Sequence, residues 1–355
     1  ASGNLPMVGT PLDNSNDGNT DGYVMRYGTN GQLLSSTFLG TPDYDQSFLV
    51  QLDTQDGVYV IGQTHGAYPV TPGKYTNAGS SQFIHKLSTD LSTSAWSTVI
   101  GNGQGDEDIS PSAFLVSNCG QIYFSGWGGS VNSNIIGGLN STTVGLPLTG
   151  DAYQSTTDGN DFYLMVLEPE SVGLNYATFF GGQSAEHVDG GTSRFDKNGN
   201  VYQAVCAGCG SQDDFPTTPG AWSNTNNSFN CNLGVFKFNL NQPIALIDID
   251  GPNYVCLPSS AEFNNLSTGG SSYQWNFGDN TSTSTDFEPV HTYTDTGTFT
   301  VTMILSDNDV CTPNDTASII IAVIDPDDAT IDPVDPICDG GQTQLNAHGG
   351  YQFSW

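Results

Sequence analysis

Short runs of alternating apolar and polar residues, each broken by a glycine-centred turn, recur along the first two-thirds of the chain. Phe48-Leu49-Val50-Gln51-Leu52-Asp53 leads into Asp56-Gly57 and resumes as Val58-Tyr59-Val60-Ile61-Gly62. Ala113-Phe114-Leu115-Val116 turns on Asn118-Cys119-Gly120 and returns as Ile122-Tyr123-Phe124-Ser125-Gly126. A third copy runs from Glu186 through Phe195-Asp196, turns on Asn198-Gly199 and resumes at Val201-Tyr202. Alternation on both sides of Asp-Gly or Asn-Gly predicts tight β-hairpins, because such dipeptides accept the positive φ the turn demands.

A proline loop follows each copy: Tyr68-Pro69-Val70-Thr71-Pro72-Gly73, Leu146-Pro147-Leu148-Thr149-Gly150-Asp151-Ala152-Tyr153, and Phe215-Pro216-Thr217-Thr218-Pro219-Gly220-Ala221-Trp222. Second hairpins are expected at 22–39, 82–100, 161–180 and 234–247. Three of them close on a common form, seen in Ser36-Thr37-Phe38-Leu39-Gly40, Ser97-Thr98-Val99-Ile100-Gly101 and Ala177-Thr178-Phe179-Phe180-Gly181. Four short antiparallel strands per repeat is the content of one propeller blade. The turn glycines Gly57, Gly120 and Gly199 are 63 and 79 residues apart. Ordinary blades take about 40–50 residues, so the proline loops are expected as insertions on one face.

Residues 5–11 match the proline loop and 22–39 the second hairpin, so the chain is expected to open in mid-blade. Residues 1–243 then supply about three and a half blades, to be completed by upstream sequence or a second chain. From about Ile244 another pattern begins. Ser272-Tyr273-Gln274-Trp275-Asn276-Phe277-Gly278-Asp279-Asn280 and the strands 299–305 and 317–323 predict a sandwich over 244–325. Residues 326–355 read as a proline- and aspartate-rich linker and the truncated start of a further sandwich. The fold class expected is all-β: a partial four-stranded-blade propeller followed by an immunoglobulin-like sandwich.

Composition agrees and narrows the function. Six Lys and Arg face 37 Asp and Glu, for a net charge of −31. That charge repels nucleic acid, which is excluded as a partner. No apolar run approaches the ~18 residues of a membrane span. Seven scattered Cys favour an oxidising, extracytoplasmic setting. A sialidase-like site needs an arginine cluster, and only Arg26 and Arg194 are present; Gly-x-Ser-x-Gly and His-Glu-x-x-His are both absent. A non-enzymatic protein is expected.

Two stretches carry candidate chemistry. Cys206-Ala207-Gly208-Cys209, with Cys119 and Cys231, offers four thiolates to Zn²⁺ or, in an oxidising setting, disulfides; disulfides are the preferred reading. Asp13, Ser15, Asp17 and Asp21 place oxygens at alternate positions around Gly18, as a calcium loop does, although Val24 stands where the bidentate acid belongs. Ca²⁺ is therefore a candidate ligand. Trp96, Trp127 and Trp222 suit sugar stacking or core packing, the second being the commoner fate.

The repeats, with Asp-x-x-Gly-x-x-Tyr and Phe215-Pro216-Thr217-Thr218-Pro219-Gly220-Ala221, resemble the SBBP-type β-propeller repeats of bacterial surface proteins. Trp275-Asn276-Phe277-Gly278-Asp279, Pro289, His291, Tyr293 and Gly297 resemble a PKD domain. That order of modules is similar to large type IX-secreted surface proteins of the Bacteroidetes, many linked to gliding or adhesion. The resemblance implies an extracellular or outer-membrane-associated structural or adhesive protein. Its partners would be surface proteins, glycans and other domains of the same long chain. A glycan-binding portion of a secreted polysaccharide-acting enzyme is the alternative. Cys256 and Cys311 flank the PKD-like body and are expected to pair, with Cys338 left over.

Overall fold

The computed structural model describes residues 5–131, 141–188, 193–196, 199–240, 243–307, 314–325, 330–339 and 341–348. The chain divides into two compact units, Ala1–Leu240 and Asn241–Trp355.

In the first unit β1 (Gly22–Tyr27) and β2 (Leu33–Leu39) form a two-stranded sheet. The next four strands, β3 (Asp45–Leu52), β4 (Val58–Thr64), β5 (Gln82–Leu87) and β6 (Ser94–Ile100), pair in chain order as an antiparallel meander. A second meander repeats the plan with β7 (Ile109–Val116), β8 (Ile122–Gly128), β9 (Phe162–Leu167) and β10 (Leu174–Phe180). A third sheet holds β11 (Arg194–Phe195), β12 (Asn200–Ala207) and β13 (Asn232–Asn239). Among the described residues the expected four-stranded unit is thus complete twice, and the sheets are small and open.

The turns are built as their sequences dictate. Asp56 takes φ +61 between β3 and β4, and Asp53 Oδ1 accepts the Gln55 and Gly57 amides at 2.9 and 2.8 Å. Gly120 and Gly199 take φ +88 and +76 in the matching turns, and Asp196 Oδ1 accepts the Asn200 amide at 3.0 Å. β3 and β7 carry register shifts at matching places, between Ser47 and Leu49 and between Pro111 and Ala113. Repetition reaches down to the bulge.

Successive sheets pack face to face. One core joins Tyr59, Ile61, Ile84 and Trp96 to Phe114, Phe124, Tyr163 and Phe179; another joins Phe162, Leu164 and Phe180 to Val201, Val205 and Phe236. Every residue of β4 and β8 is buried, which explains why Val58-Tyr59-Val60-Ile61 and Ile122-Tyr123-Phe124 are apolar without alternation. Each such side chain contributes about 1.5–3 kcal/mol by leaving water.

The expected hairpin at 234–247 does not form. β13 ends at Asn239, and Ile247 instead begins β14 in the second unit, where it pairs with Asn265. Pro243, which has no amide to donate, interrupts the run, and no Ser/Ala-Thr-x-x-Gly form follows to close a sheet.

The second unit contains β14 (Ile247–Ile249), β15 (Tyr254–Cys256), β16 (Ser260–Asn265), β17 (Ser272–Asn276), β18 (Val290–Thr292), β19 (Gly297–Ser306) and β20 (Asn314–Ile324). Sheets of order β14-β16-β18 and β15-β20-β19-β17 enclose Phe263, Trp275, Phe277, Tyr293, Val301, Met303 and Ile321. β15 joins β20 in parallel and the other pairs are antiparallel, giving an immunoglobulin-like sandwich. Trp275 donates its indole N–H to Asp286 O at 2.9 Å, and His291 lies parallel to Phe277 at 3.9 Å while bonding Asp279 at 2.7 Å. Beyond this, β21 (Thr330–Ile331) pairs with β22 (Ala347–His348).

Candidate functional site

A cysteine–histidine corner stands at the end of β12. His187 and Cys206 form an isolated antiparallel bridge, with His187 N–H donating to Cys206 O at 3.2 Å and Cys206 N–H to His187 O at 2.9 Å. Just beyond, Gly208 and Gly210 take φ +62 and +85 and swing the chain so that Cys209 faces Cys231, to which it is disulfide-bonded. A Cβ on Gly208 would lie 2.3 Å from Gln212 O, so glycine is required there. Asn226 braces the loop by donating to Gly208 O and Asn230 O, both at 2.8 Å. Cys209 Sγ lies 3.9 Å from His187 Nδ1. Among the described residues, His187, Cys209 and Cys231 are the one group of three His, Cys, Asp or Glu with ligand atoms mutually within 4.8 Å.

The other cysteines lie elsewhere. Cys119, at the β7–β8 turn, is disulfide-bonded but does not belong to this corner. Cys256 and Cys338 are free thiols, and Cys311 lies outside the described residues. The expected Cys256–Cys311 staple is not seen: Cys256 carries a free thiol, and its expected partner lies outside the described residues.

The candidate calcium loop is hydrogen-bonded within itself. Ser15 donates its amide to Asp13 Oδ1 at 3.0 Å and its hydroxyl to Asp17 Oδ1 at 2.7 Å, and the Asp17 amide donates to Asp21 Oδ2 at 3.0 Å. Asp13, Asp17 and Asp21 do not converge within 4.8 Å, and Val24 is core.

A recurrent acidic corner escaped the sequence reading. At the ends of β2, β6 and β10 stand Gly40, Gly101 and Gly181, each facing buried acid. A Cβ on them would come within 2.7 Å of Asp21 Cγ, 2.4 Å of Asp108 Oδ2 and 2.0 Å of Asp161 Oδ1 respectively. Asp45 Oδ2 accepts Thr41 N and Oγ1 at 2.6 and 2.8 Å, Asp108 Oδ2 accepts Asn102 N at 2.8 Å, and Glu186 Oε2 accepts Gly182 N at 3.3 Å. Burial pushes Asp108 up to about 7 and Asp161 up to about 6. Burial, with the nearby charges of Asp161 and Asp214, pushes Glu186 up to about 8. Asp45, Asp108 and Glu186 thus clamp the loop amides that follow β2, β6 and β10.

The tryptophans part company. Trp96 and Trp127 are core, whereas Trp222 and Phe229 stand wholly exposed on the loop that Cys209 and Cys231 close. At the matching place Tyr75 is half-buried with its amide bonded to Ser171 O, and Tyr153 packs edge-on to Phe238 at 5.5 Å. From 209 to 231 the loop has no aliphatic side chain larger than Ala221 or the prolines; it is amides, hydroxyls, two aspartates and three aromatics.

Residues 241–323 match the PKD domain family and carry a PKD domain. No curated protein matches the chain. The PKD1 domain of the Vibrio cholerae metalloprotease PrtV is 30% identical over 23% of this chain and 95% of its own length, with a TM-score of 0.19. The PKD1 domain of Vibrio anguillarum Epp is 24% identical over 24% of this chain and 98% of its own, at 0.21. The extracellular domain of BT4673 from B. thetaiotaomicron aligns with 79% of this chain and 36% of its own length, at 11% identity and 0.19.

Proposed function

We propose that the chain is part of a non-enzymatic extracellular protein of structural or adhesive role, in which a sector of β-propeller is followed by a PKD spacer. The observation that carries this reading is the PKD domain at 241–323 joined to a unit of repeated, face-packed meanders. Rigid sheets of this kind hold their connecting loops in fixed places, where recognition is commonly carried. Among the described residues no helix is long and apolar enough to cross a membrane. The SBBP-like repeats extend the reading to the outer surface of a Bacteroidetes cell, type IX export and a part in gliding or adhesion. Protease shaving of intact cells, followed by detection of this chain, tests the location. Deletion of the gene tests the role, with loss of attachment or spreading as the expected result and unchanged attachment and spreading counting against it.

The second reading, glycan binding, is favoured by Trp222 and Phe229. Exposed aromatic faces amid amides and hydroxyls suit stacking on the apolar face of a sugar ring, and a disulfide-closed loop loses little entropy when it binds. A glycan array tests it: one polysaccharide class retained by the native chain and lost in Trp222→Ala supports glycan binding, and no retained class rejects it.

A further inference from the structure

The corner of His187, Cys206, Cys209 and Cys231 has a donor set that its disulfide does not exhaust. We propose that in the reduced protein this corner is a tetrahedral Zn²⁺ site of the Cys₃His kind, with His187 Nδ1 and the sulfurs of Cys206, Cys209 and Cys231 as ligands.

Three ligands are already assembled. Tetrahedral zinc with Zn–S of about 2.3 Å and Zn–N of about 2.0 Å separates its ligand atoms by roughly 3.5–3.8 Å. The donor atoms of His187, Cys209 and Cys231 lie mutually within 4.8 Å, and Nδ1 to Cys209 Sγ is 3.9 Å. Opening the disulfide lets its two sulfurs spread to that separation without moving the imidazole.

The fourth ligand follows from strand pairing. His187 and Cys206 are directly opposed across a hydrogen-bonded bridge, so their side chains leave the same face about 5 Å apart. A turn about the Cα–Cβ bond of Cys206 aims its sulfur at the ion. Cys206-x-x-Cys209 is the spacing zinc knuckles use to set two thiolates on one side of a tight turn, and here Gly208 and Gly210 make that turn. Cys231 is delivered from the far side of the loop, which Asn226 braces independently of the disulfide. Soft thiolates with one imidazole select zinc over calcium or magnesium.

The chemistry balances as a reduction followed by an exchange. A thiol reductant supplies two electrons, converting the Cys209–Cys231 bond to two thiols and leaving as its own disulfide. Zn²⁺ then displaces three thiol protons to solvent and keeps its oxidation state. The dicationic ion enters a chain of net charge −31, which favours its approach.

The test uses the intact chain, reduced with a phosphine under argon, stripped of metal and titrated with Co²⁺ as an optical stand-in. Expected are thiolate-to-cobalt charge-transfer bands and intense tetrahedral d–d bands that saturate at one equivalent and are bleached by Zn²⁺. His187→Ala and Cys206→Ser should each weaken Zn²⁺ binding by at least about tenfold, while Cys256→Ser leaves it unchanged. Absence of one-to-one binding, or equal affinity in both variants, overturns the proposal. If Cys206→Ser does not fold, the native charge-transfer intensity decides, since three thiolates support the site and two reject it.

Discussion

Lys86 Nζ lies 2.6 Å from Glu170 Oε1 and so ties β5 of one meander to the 3-10 turn Pro169–Ser171 of the next. The same carboxylate accepts the Trp96 indole N–H at 2.8 Å and the Tyr59 hydroxyl at 3.2 Å, and Asp53 closes on Lys86 from the other side at 3.1 Å. Burial works against the ammonium, but the hydrogen bonds it donates to Glu170, Tyr59 and Asp53 outweigh it and hold Lys86 above its ordinary value. Glu170, half exposed, is held below its own by Lys86 and Trp96 against the pull of burial.

Removing that carboxylate leaves the Trp96 donor buried without its acceptor. Glu170→Ala should cost about 1–3 kcal/mol, read as a lower chemical-denaturation midpoint with an unchanged slope. Glu170→Gln keeps an acceptor and should lose less. Because folding lowers this pKa, its contribution is present above the ordinary carboxylate range and fades as pH falls through it.

Glu186, Asp161 and Asp108 act with the opposite sign. Their folded values, about 8, 6 and 7, lie above the unfolded ones, so folding takes up protons and stability drops as pH rises through them. Between pH 5 and pH 9 the first unit should therefore lose stability progressively. Glu186→Gln should flatten that slope and melt above the native chain at pH 9. A slope identical to the native one would remove Glu186 from the account.

Gly181 tests the acidic corner without altering charge. A methyl there meets Asp161 Oδ1 at 2.0 Å, so Gly181→Ala should destabilise by about 1–3 kcal/mol. Gly150 has open space around it and an ordinary φ, and Gly150→Ala should stay within about 0.5 kcal/mol of native. Thermal melts of the pair check both.

Trp275 is wholly buried at the centre of the sandwich. Trp275→Ala should cost about 3–5 kcal/mol. Hydrogen exchange should show protection lost first along β17 and β19, which pair through this residue. Faster exchange confined to exposed loops would contradict that.

The hairpins were legible because their signals are local. Asp53 through Gly57 and Asp196 through Gly199 encode their turns within five residues, and Phe-Gly-Asp with His291 marks the PKD sandwich. What was not legible depends on contacts distant in sequence. His187 reads as one dispersed histidine until the bridge to Cys206 brings it to Cys209. Ile247 looks like the close of a fourth hairpin, because alternation specifies a strand and not its partner. The spacing at Asp13–Asp21 likewise does not show that Ser15 donates to both Asp13 and Asp17. Nor does sequence reveal that Trp96 and Trp127 are covered while Trp222 is bare, since burial depends on what packs alongside.

The strand order of the two meanders also bears on how the protein is made. In each, every strand pairs with its immediate neighbour in the chain, so a sheet can be finished as soon as its own residues have emerged. Such a unit can assemble progressively from its N-terminal side during synthesis or export, with little surface waiting for a distant partner. The sandwich obeys a different schedule. β15 is parallel to β20, with Tyr254 against Ala322, so its first strands must wait for nearly the last residues of the domain. One chain therefore joins a half that can fold as it arrives to a half that must be all present before it can close.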